Sequence, residues 1–205
     1  VKTMGGLQYL IKFNKSIEIN IAKIYLDNEK FLRGYGWLFP KSENIANVGI
    51  CSNADLRENF NYFLEKIIKP NYGDCEILEI RSGVIPKSGV CAKVFKDNAF
   101  LIGDAAGLTD PIFEGGMSQA MLSAGIAAQC ILDKKVNSYE PKIKSLPFSD
   151  PKLITASKIF YSLSNVTLNE PADVLENKSF SGLLLLKNIF KILITKKNIR
   201  ENFFK

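Results

Sequence analysis

The stretch NAFLIGDAAGLTDPIFEGGMSQAMLSAGIAAQ, residues 98–129, decides how the chain is read. Its first five residues, Asn98 to Ile102, are mostly apolar, the pattern of a buried strand. That strand ends in Gly103-Asp104-Ala105-Ala106-Gly107, a loop holding Pro111 follows, and Gly115-Gly116 opens a helix. Along the helix Met117, Ala120, Met121, Ala124, Ala127 and Ala128 keep helical spacing on one face, extended by Cys130 and Ile131. Asp104 is thereby delivered into a bed of very small residues. Its carboxylate accepts hydrogen bonds from hydroxyls. Gly103, Ala105, Gly115 and Gly116 let backbone N–H groups approach closely. The helix start at Met117 offers unpaired donors and partial positive charge. A bare Gly-Asp pair would be read as an ordinary strand–loop–helix with a surface Asp. The whole string, with Pro111 and both glycines in place, points to a site for a large polar cofactor.

Upstream, Gly34-Tyr35-Gly36-Trp37-Leu38-Phe39-Pro40 is followed by Lys41-Ser42-Glu43-Asn44 and Ile45-Ala46-Asn47-Val48-Gly49-Ile50. The period is that of a β-hairpin over 34–51, turning at Ser42-Glu43-Asn44. Tyr35, Trp37 and Phe39 alternate onto one face. Three aromatics there are either core or the wall of an apolar pocket, and periodicity alone favours core.

Together the two motifs resemble the geranylgeranyl reductase family, within the wider class of flavoproteins built like para-hydroxybenzoate hydroxylase. GDAAG, Pro111, Gly115-Gly116 and the small-residue helix are similar to that family's second FAD-binding motif. Tyr35, Trp37, Phe39, Pro40 and Gly49 are similar to its aromatic motif, with Cys51 where a second glycine is usual. The resemblance implies that Asp104 binds a ribityl hydroxyl of FAD. It further implies that Gly115, Gly116 and Met117 lie against the pyrimidine edge of the flavin, where a helix N-terminus suits a reduced, anionic ring. It makes Tyr35, Trp37 and Phe39 candidate walls for a prenyl lipid, which has no polar handle along its tail. Gly107 stands where aromatic hydroxylases of this fold carry His, which favours the reductase branch. Glu114 departs from the reductase pattern, and beside the flavin it opposes charge build-up unless it points outward or pairs with a base. The implied activity is FAD-dependent reduction of isoprenoid double bonds; the catalytic proton donor and the electron donor are not specified by these residues. The alternatives are a flavin monooxygenase or halogenase of the same fold and a non-catalytic remnant. Trp37 is the only Trp, a poor match to the halogenase Trp-x-Trp-x-Ile-Pro signature.

The implied architecture is part of an FAD-dependent oxidoreductase of mixed α+β and α/β character. Residues 1–95 form an antiparallel substrate-binding sheet with a helix over 55–69. Residues 96–135 form the C-terminal part of the FAD-binding domain, and 150–205 a helical C-terminal region. Strands are expected at 7–13, 16–26 and 75–85. The helix carries Leu56, Phe60, Phe63, Leu64, Ile67 and Ile68 as its stripe, with Pro70 as its stop. Asp150-Pro151 opens a further helix over 153–163, which Asn169-Glu170-Pro171 breaks. No Gly-x-Gly-x-x-Gly occurs, so the expectation is a C-terminal portion that by itself holds FAD weakly or not at all. Arg81 is a lesser candidate for a phosphate or flavin contact.

At 205 residues with 46% hydrophobic content the chain can bury a real core. The +6 charge is spread rather than patched and no nucleic-acid motif occurs, so no nucleic-acid partner is expected. The four cysteines show no metal spacing and there is no His, so no metal site is expected. The cysteines read as reduced thiols of a cytoplasmic protein. The apolar, then basic segment 180–200 is either a packed helix or a peripheral contact with anionic lipid.

Overall fold

The computed structural model describes residues 2–168. The segment 180–200 and the break at Asn169-Glu170-Pro171 lie outside the described residues. The chain divides into two compact units, Val1–Ser162 and Leu163–Lys205, and the sheet belongs to the first.

Alternating apolar residues build a five-stranded antiparallel sheet of order β2-β3-β4-β1-β5. Its strands are β1 (Thr3–Phe13), β2 (Lys23–Tyr25), β3 (Tyr35–Pro40), β4 (Ile45–Ser52) and β5 (Cys75–Pro86). The hairpin over 34–51 is as expected, with Tyr35 opposite Cys51 and Trp37 opposite Gly49. β1 begins earlier than the sequence implies and takes Gly5 and Gly6 into the ladder. The strand expected at 16–26 shrinks to Lys23–Tyr25, and Ile19 and Ile21 are exposed. In the β2–β3 register Lys23 faces Leu38, so Ile21 would face Pro40, which has no N–H to donate.

One face of the sheet is covered. Asp55 caps α1 (Leu56–Phe63), its carboxylate accepting from the Glu58 N–H at 2.8 Å. A π-helical turn (Leu64–Ile68) and α2 (Lys69–Tyr72) continue it. Pro70 therefore does not stop the helix. The preceding wide turn relieves the clash its ring would make in a regular α-helix, and the chain leaves at Gly73, at φ +81°. Phe60, Phe63, Leu64 and Ile68 are buried against Ile11, Leu38, Val48 and Ile50. Phe63 lies at the centre, its ring meeting Tyr25 at 5.1 Å and Phe31 at 5.6 Å.

A second cluster joins Val94, Ala106, Leu108, Ala127, Cys130, Tyr139 and Ile143. It holds α3 (Met117–Leu132) and α4 (Tyr139–Lys144), the latter outside any sequence expectation. The apolar run 98–102 is not a buried strand. Only Ala99–Phe100 (β7) pairs, with Phe95–Lys96 (β6), and Leu101 and Ile102 are exposed. With a single two-residue partner among the described residues, the run lacks the neighbours that would bury it. α5 (Lys152–Phe160) follows Asp150-Pro151 as expected, the Asp150 carboxylate accepting from the Lys152 N–H at 2.9 Å.

Phe63→Ala is expected to cost about 3–5 kcal/mol in urea unfolding, because it empties the middle of the core. Ile80→Ser, on the exposed edge strand β5, is expected to stay within about 0.5 kcal/mol.

Candidate functional site

The covered face of the sheet determines which side chains are spare. On β3 Leu38 points to the helix, and a Cβ at Gly36 would lie 2.8 Å from the Phe63 ring. Tyr35, Trp37 and Phe39 therefore share the opposite face, with ring separations of 5.8 and 6.1 Å along the row. They are not part of the helix-side core. On that face Trp37 lines a shallow cavity of about 220 Å³ with Gly6, Gln8, Arg81, Gly83 and Ile85. Its indole N–H donates to Gln8 Oε1 at 3.2 Å. A Cβ at Gly49 would approach the Trp37 ring to 2.3 Å, so glycine there lets the indole lie flat across β4. Phe39 stacks on Trp37 without lining the cavity. Arg81 is engaged by Glu79 at 2.7 and 2.8 Å.

Tyr35 does something different. It is 8% exposed, and its hydroxyl donates to the Phe113 carbonyl, the ring lying 6.4 Å from that of Phe113. Burial pushes the phenol far above its ordinary pKa, so it remains a donor. The aromatic strand and the glycine loop thus meet directly. Cys51 lies buried beside Tyr35, a packed thiol pushed up to about 12 by desolvation.

The loop is tightly determined. The Asp110 carboxylate accepts from the N–H groups of Ile112 and Phe113 at 2.9 and 2.7 Å, and the Asp110 N–H donates to Gly115 O at 2.8 Å. From α5, Ser157 donates to Pro111 O at 2.6 Å and the Tyr161 hydroxyl donates to Ile112 O. Ser157 and Tyr161, four apart, act from one helix face. Gly103–Ala106 forms a 3₁₀ turn that ends at Gly107, φ +73°. A Cβ at Gly107 would fall 2.2 Å from Gly89 O, so no side chain, His included, fits at this position.

Asp104 is an exposed residue that lines an open cleft with Ile102, Gly103, Ala105, Gly116, Met117 and Ala120. Its Oδ1 accepts from Thr109 Oγ1 at 3.2 Å. A Cβ at Gly116 would lie 2.7 Å from Asp104 Oδ1, and one at Gly103 would lie 2.9 Å from Ala120 Cβ. The missing side chains therefore form a cradle. α3 starts at Met117 with no side chain among the described residues capping it and no acidic residue in its first turn. The packed face of α3 keeps Ala127 and Cys130 of the expected stripe and adds Ser123. Ser123, Ala127 and Cys130 are buried, whereas Met117, Met121 and Ile131 are exposed. The Ser123 hydroxyl explains the rotation: it accepts from the Gly103 N–H at 3.0 Å while donating back into its own helix.

Glu114 does pair with a base. Its side chain is 2% exposed and accepts from the Lys87 ammonium, which also donates to Pro111 O at 2.8 Å. Among the described residues Oε2 has no hydrogen-bond partner. The backbone there is left-handed, φ +57°, a region that favours glycine. Lys87, Ser157 and Tyr161 were missed from sequence; each acts across 27 to 49 residues, and no local pattern marks such contacts.

Sheet, loop and helix are part of the FAD-dependent oxidoreductase fold. A crystal structure of a geranylgeranyl bacteriochlorophyll reductase-like protein from Thermoplasma acidophilum matches 98% of this chain and 54% of its own, at TM-score 0.82 and 26% identity. A flavoprotein/dehydrogenase from Cytophaga hutchinsonii shares the fold at TM-score 0.57 and 19% identity. Residues 3–85 match the family model for the geranylgeranyl reductase catalytic domain. Digeranylgeranylglycerophospholipid reductase 1 of Methanosphaera stadtmanae is 31% identical over 83% of this chain and 46% of its own length. Reductase 3 of that organism is 33% identical over 92% and 51%. By these matches the chain is similar to the geranylgeranyl reductases, and it spans about half the length of the curated relatives it matches.

Burial pushes the Glu114 carboxyl up to about 7 from 4.5, against the pull of Lys87. The folded state then binds a proton that the unfolded state has already released, so stability from this group is present below pH 4.5 and is lost as pH rises to about 7. Relative to Glu114→Gln, wild-type stability in urea titrations is expected to fall across that window and level off above it. A difference constant from pH 4.5 to 7 contradicts this.

Proposed function

We propose that this chain is the substrate-sheet and flavin-loop portion of an FAD-dependent reductase acting on isoprenoid double bonds. The observation that carries the reading is the hydrogen bond from Tyr35 to Phe113 O, which joins the aromatic motif to the glycine loop. Residues 1–95 supply the substrate sheet, 96–135 the flavin-facing loop and helix, and 150–162 a brace behind that loop.

The cleft at Asp104 fits the group. An acceptor carboxylate suits a ribityl hydroxyl, the glycine cradle leaves room for close approach, and the uncapped start of α3 suits the pyrimidine edge of a flavin. When bound, a reduced flavin supplies a hydride to the alkene. The chain's own residues hold and orient. Asp104 anchors the cofactor's polyol arm. The amides of Gly116 and Met117 face developing negative charge on the ring. Lys87 neutralises Glu114, so that carboxylate does not oppose the charge. Trp37 and Phe39 give the prenyl tail an apolar wall that keeps water from the reacting bond. Relatives named for digeranylgeranylglycerophospholipid reduction support a prenyl lipid as substrate.

Asp104→Ala is expected to weaken FAD binding about 5- to 150-fold, the loss of a charge-assisted hydrogen bond of about 1–3 kcal/mol. Flavin fluorescence quenching measures it. Mass spectrometry of a geranylgeranyl lipid incubated with the dithionite-reduced, FAD-loaded protein should show saturation of double bonds. Unchanged FAD affinity in the variant, or an unreduced lipid, contradicts the reading.

A further inference from the structure

Beyond the cleft and the aromatic face there is a third concavity, of about 490 Å³, that neither motif announces. Four cations line it: Lys2, Arg33, Lys87 and Lys158, with Ser88 and Asn53 among the polar lining and no carboxylate. Lys87 is compensated by Glu114. Among the described residues Lys2, Arg33 and Lys158 form no ion pair. Three uncompensated positive charges around one cavity repel one another and focus a positive field into it, which a bound anion relieves.

The cavity's walls are braced. The Lys2 N–H donates to Ser88 Oγ at 2.5 Å, and Lys87 N–H donates to Lys2 O at 2.8 Å, tying the start of β1 to the end of β5. Ser157 and Tyr161 fix the end of α5 to the carbonyls of Pro111 and Ile112, so Lys158 is presented from a helix whose neighbouring turn is anchored. The volume falls in the range of ligand pockets, about 300–1,000 Å³.

Its place along the strands gives it meaning. Lys2 lies four to six residues before Gly6 and Gln8 on β1, and Lys87 lies four to six after Gly83 and Arg81 on β5. Ile85, which also lines the aromatic-lined cavity, lies two residues before Lys87, so at about 3.3 Å per residue the two linings lie roughly 7–20 Å apart along the same two strands. An amphiphile with an anionic head and a prenyl tail spans that separation. We infer that the Lys2/Arg33/Lys158 cavity binds the phosphate ester of the prenyl lipid substrate. The tail's position rests on the reading of the aromatic face given above; the anion site itself does not.

The sequence has one Trp, so Trp37 fluorescence reports prenyl ligands on the aromatic face. The test compares geranylgeranyl phosphate, geranylgeraniol and inorganic phosphate, the last by calorimetry and by competition. The prenyl phosphate is expected to bind at least about 10-fold tighter than the alcohol. In Arg33→Gln/Lys158→Gln that advantage should drop to within about 2-fold, with alcohol affinity unchanged. Arg33→Lys should retain it, and circular dichroism should show the variants folded. Inorganic phosphate should compete with the prenyl phosphate. Equal affinity for phosphate and alcohol overturns the assignment, as does an advantage that survives in the double variant. If neither prenyl ligand binds, yet inorganic phosphate binds in an Arg33- and Lys158-dependent way, the headgroup assignment fails together with the prenyl reading, leaving a free-phosphate site. If the alcohol binds and no phosphate contributes, the prenyl reading stands and this inference falls.

Discussion

One hydroxyl ties the molecule together. Tyr35 stands on the free face of the sheet and donates to the carbonyl of Phe113, in the loop that leads to Gly115 and Gly116. That bond and the contacts of Lys87, just beyond the end of β5, join the sheet to a loop distant from it in sequence. With it, an apolar wall and a backbone cradle are held in register. The same loop is braced from behind by Ser157 and Tyr161, and from the side by Lys87 with Glu114. A peptide loop of this kind would otherwise be a mobile connection. Here each carbonyl from Pro111 to Phe113 has a side-chain donor, so the amides at the start of α3 are presented in a fixed direction.

The free face exists because the other is filled. α1 and the turn after it cover the sheet with Phe60, Phe63, Leu64 and Ile68, and strand alternation leaves Trp37 and Phe39 on the opposite side. Buried aromatics in the first set contribute to stability. Half-exposed aromatics in the second set contribute little to the core and are available to a ligand. Gly6, Gly49 and Gly83 keep that side low, so an extended apolar molecule can lie along it.

Much of this was legible in the sequence, for physical reasons. The 34–51 hairpin was readable because its alternation and turn are local. The α1 start was readable because Asp55 sits before an apolar stripe. Asp104, Gly116 and Met117 were readable because one short string brings them to one cleft. The misreadings have equally physical causes. Ile17, Ile19 and Ile21 alternate like a strand, but their partner ends in Pro40. Residues 98–102 have a strand's composition but only β6 to pair with. The α3 stripe was rotated because Ser123, a polar residue, is the one that grips Gly103. Lys87, Tyr161 and the cationic cavity are made by long-range meetings that no window of sequence contains. Glu114 was legible as a problem, while its solution, Lys87, lay 27 residues away.

The most direct test is a crystal structure of the protein with FAD and a geranylgeranyl lipid. The account requires the ribityl chain within hydrogen-bonding distance of Asp104, the flavin's pyrimidine edge at the start of α3, and the isoprenoid tail across Trp37 on the free face of the sheet. A flavin bound elsewhere, with Asp104 facing only water, would contradict it, as would a lipid tail seated on the helix-covered side.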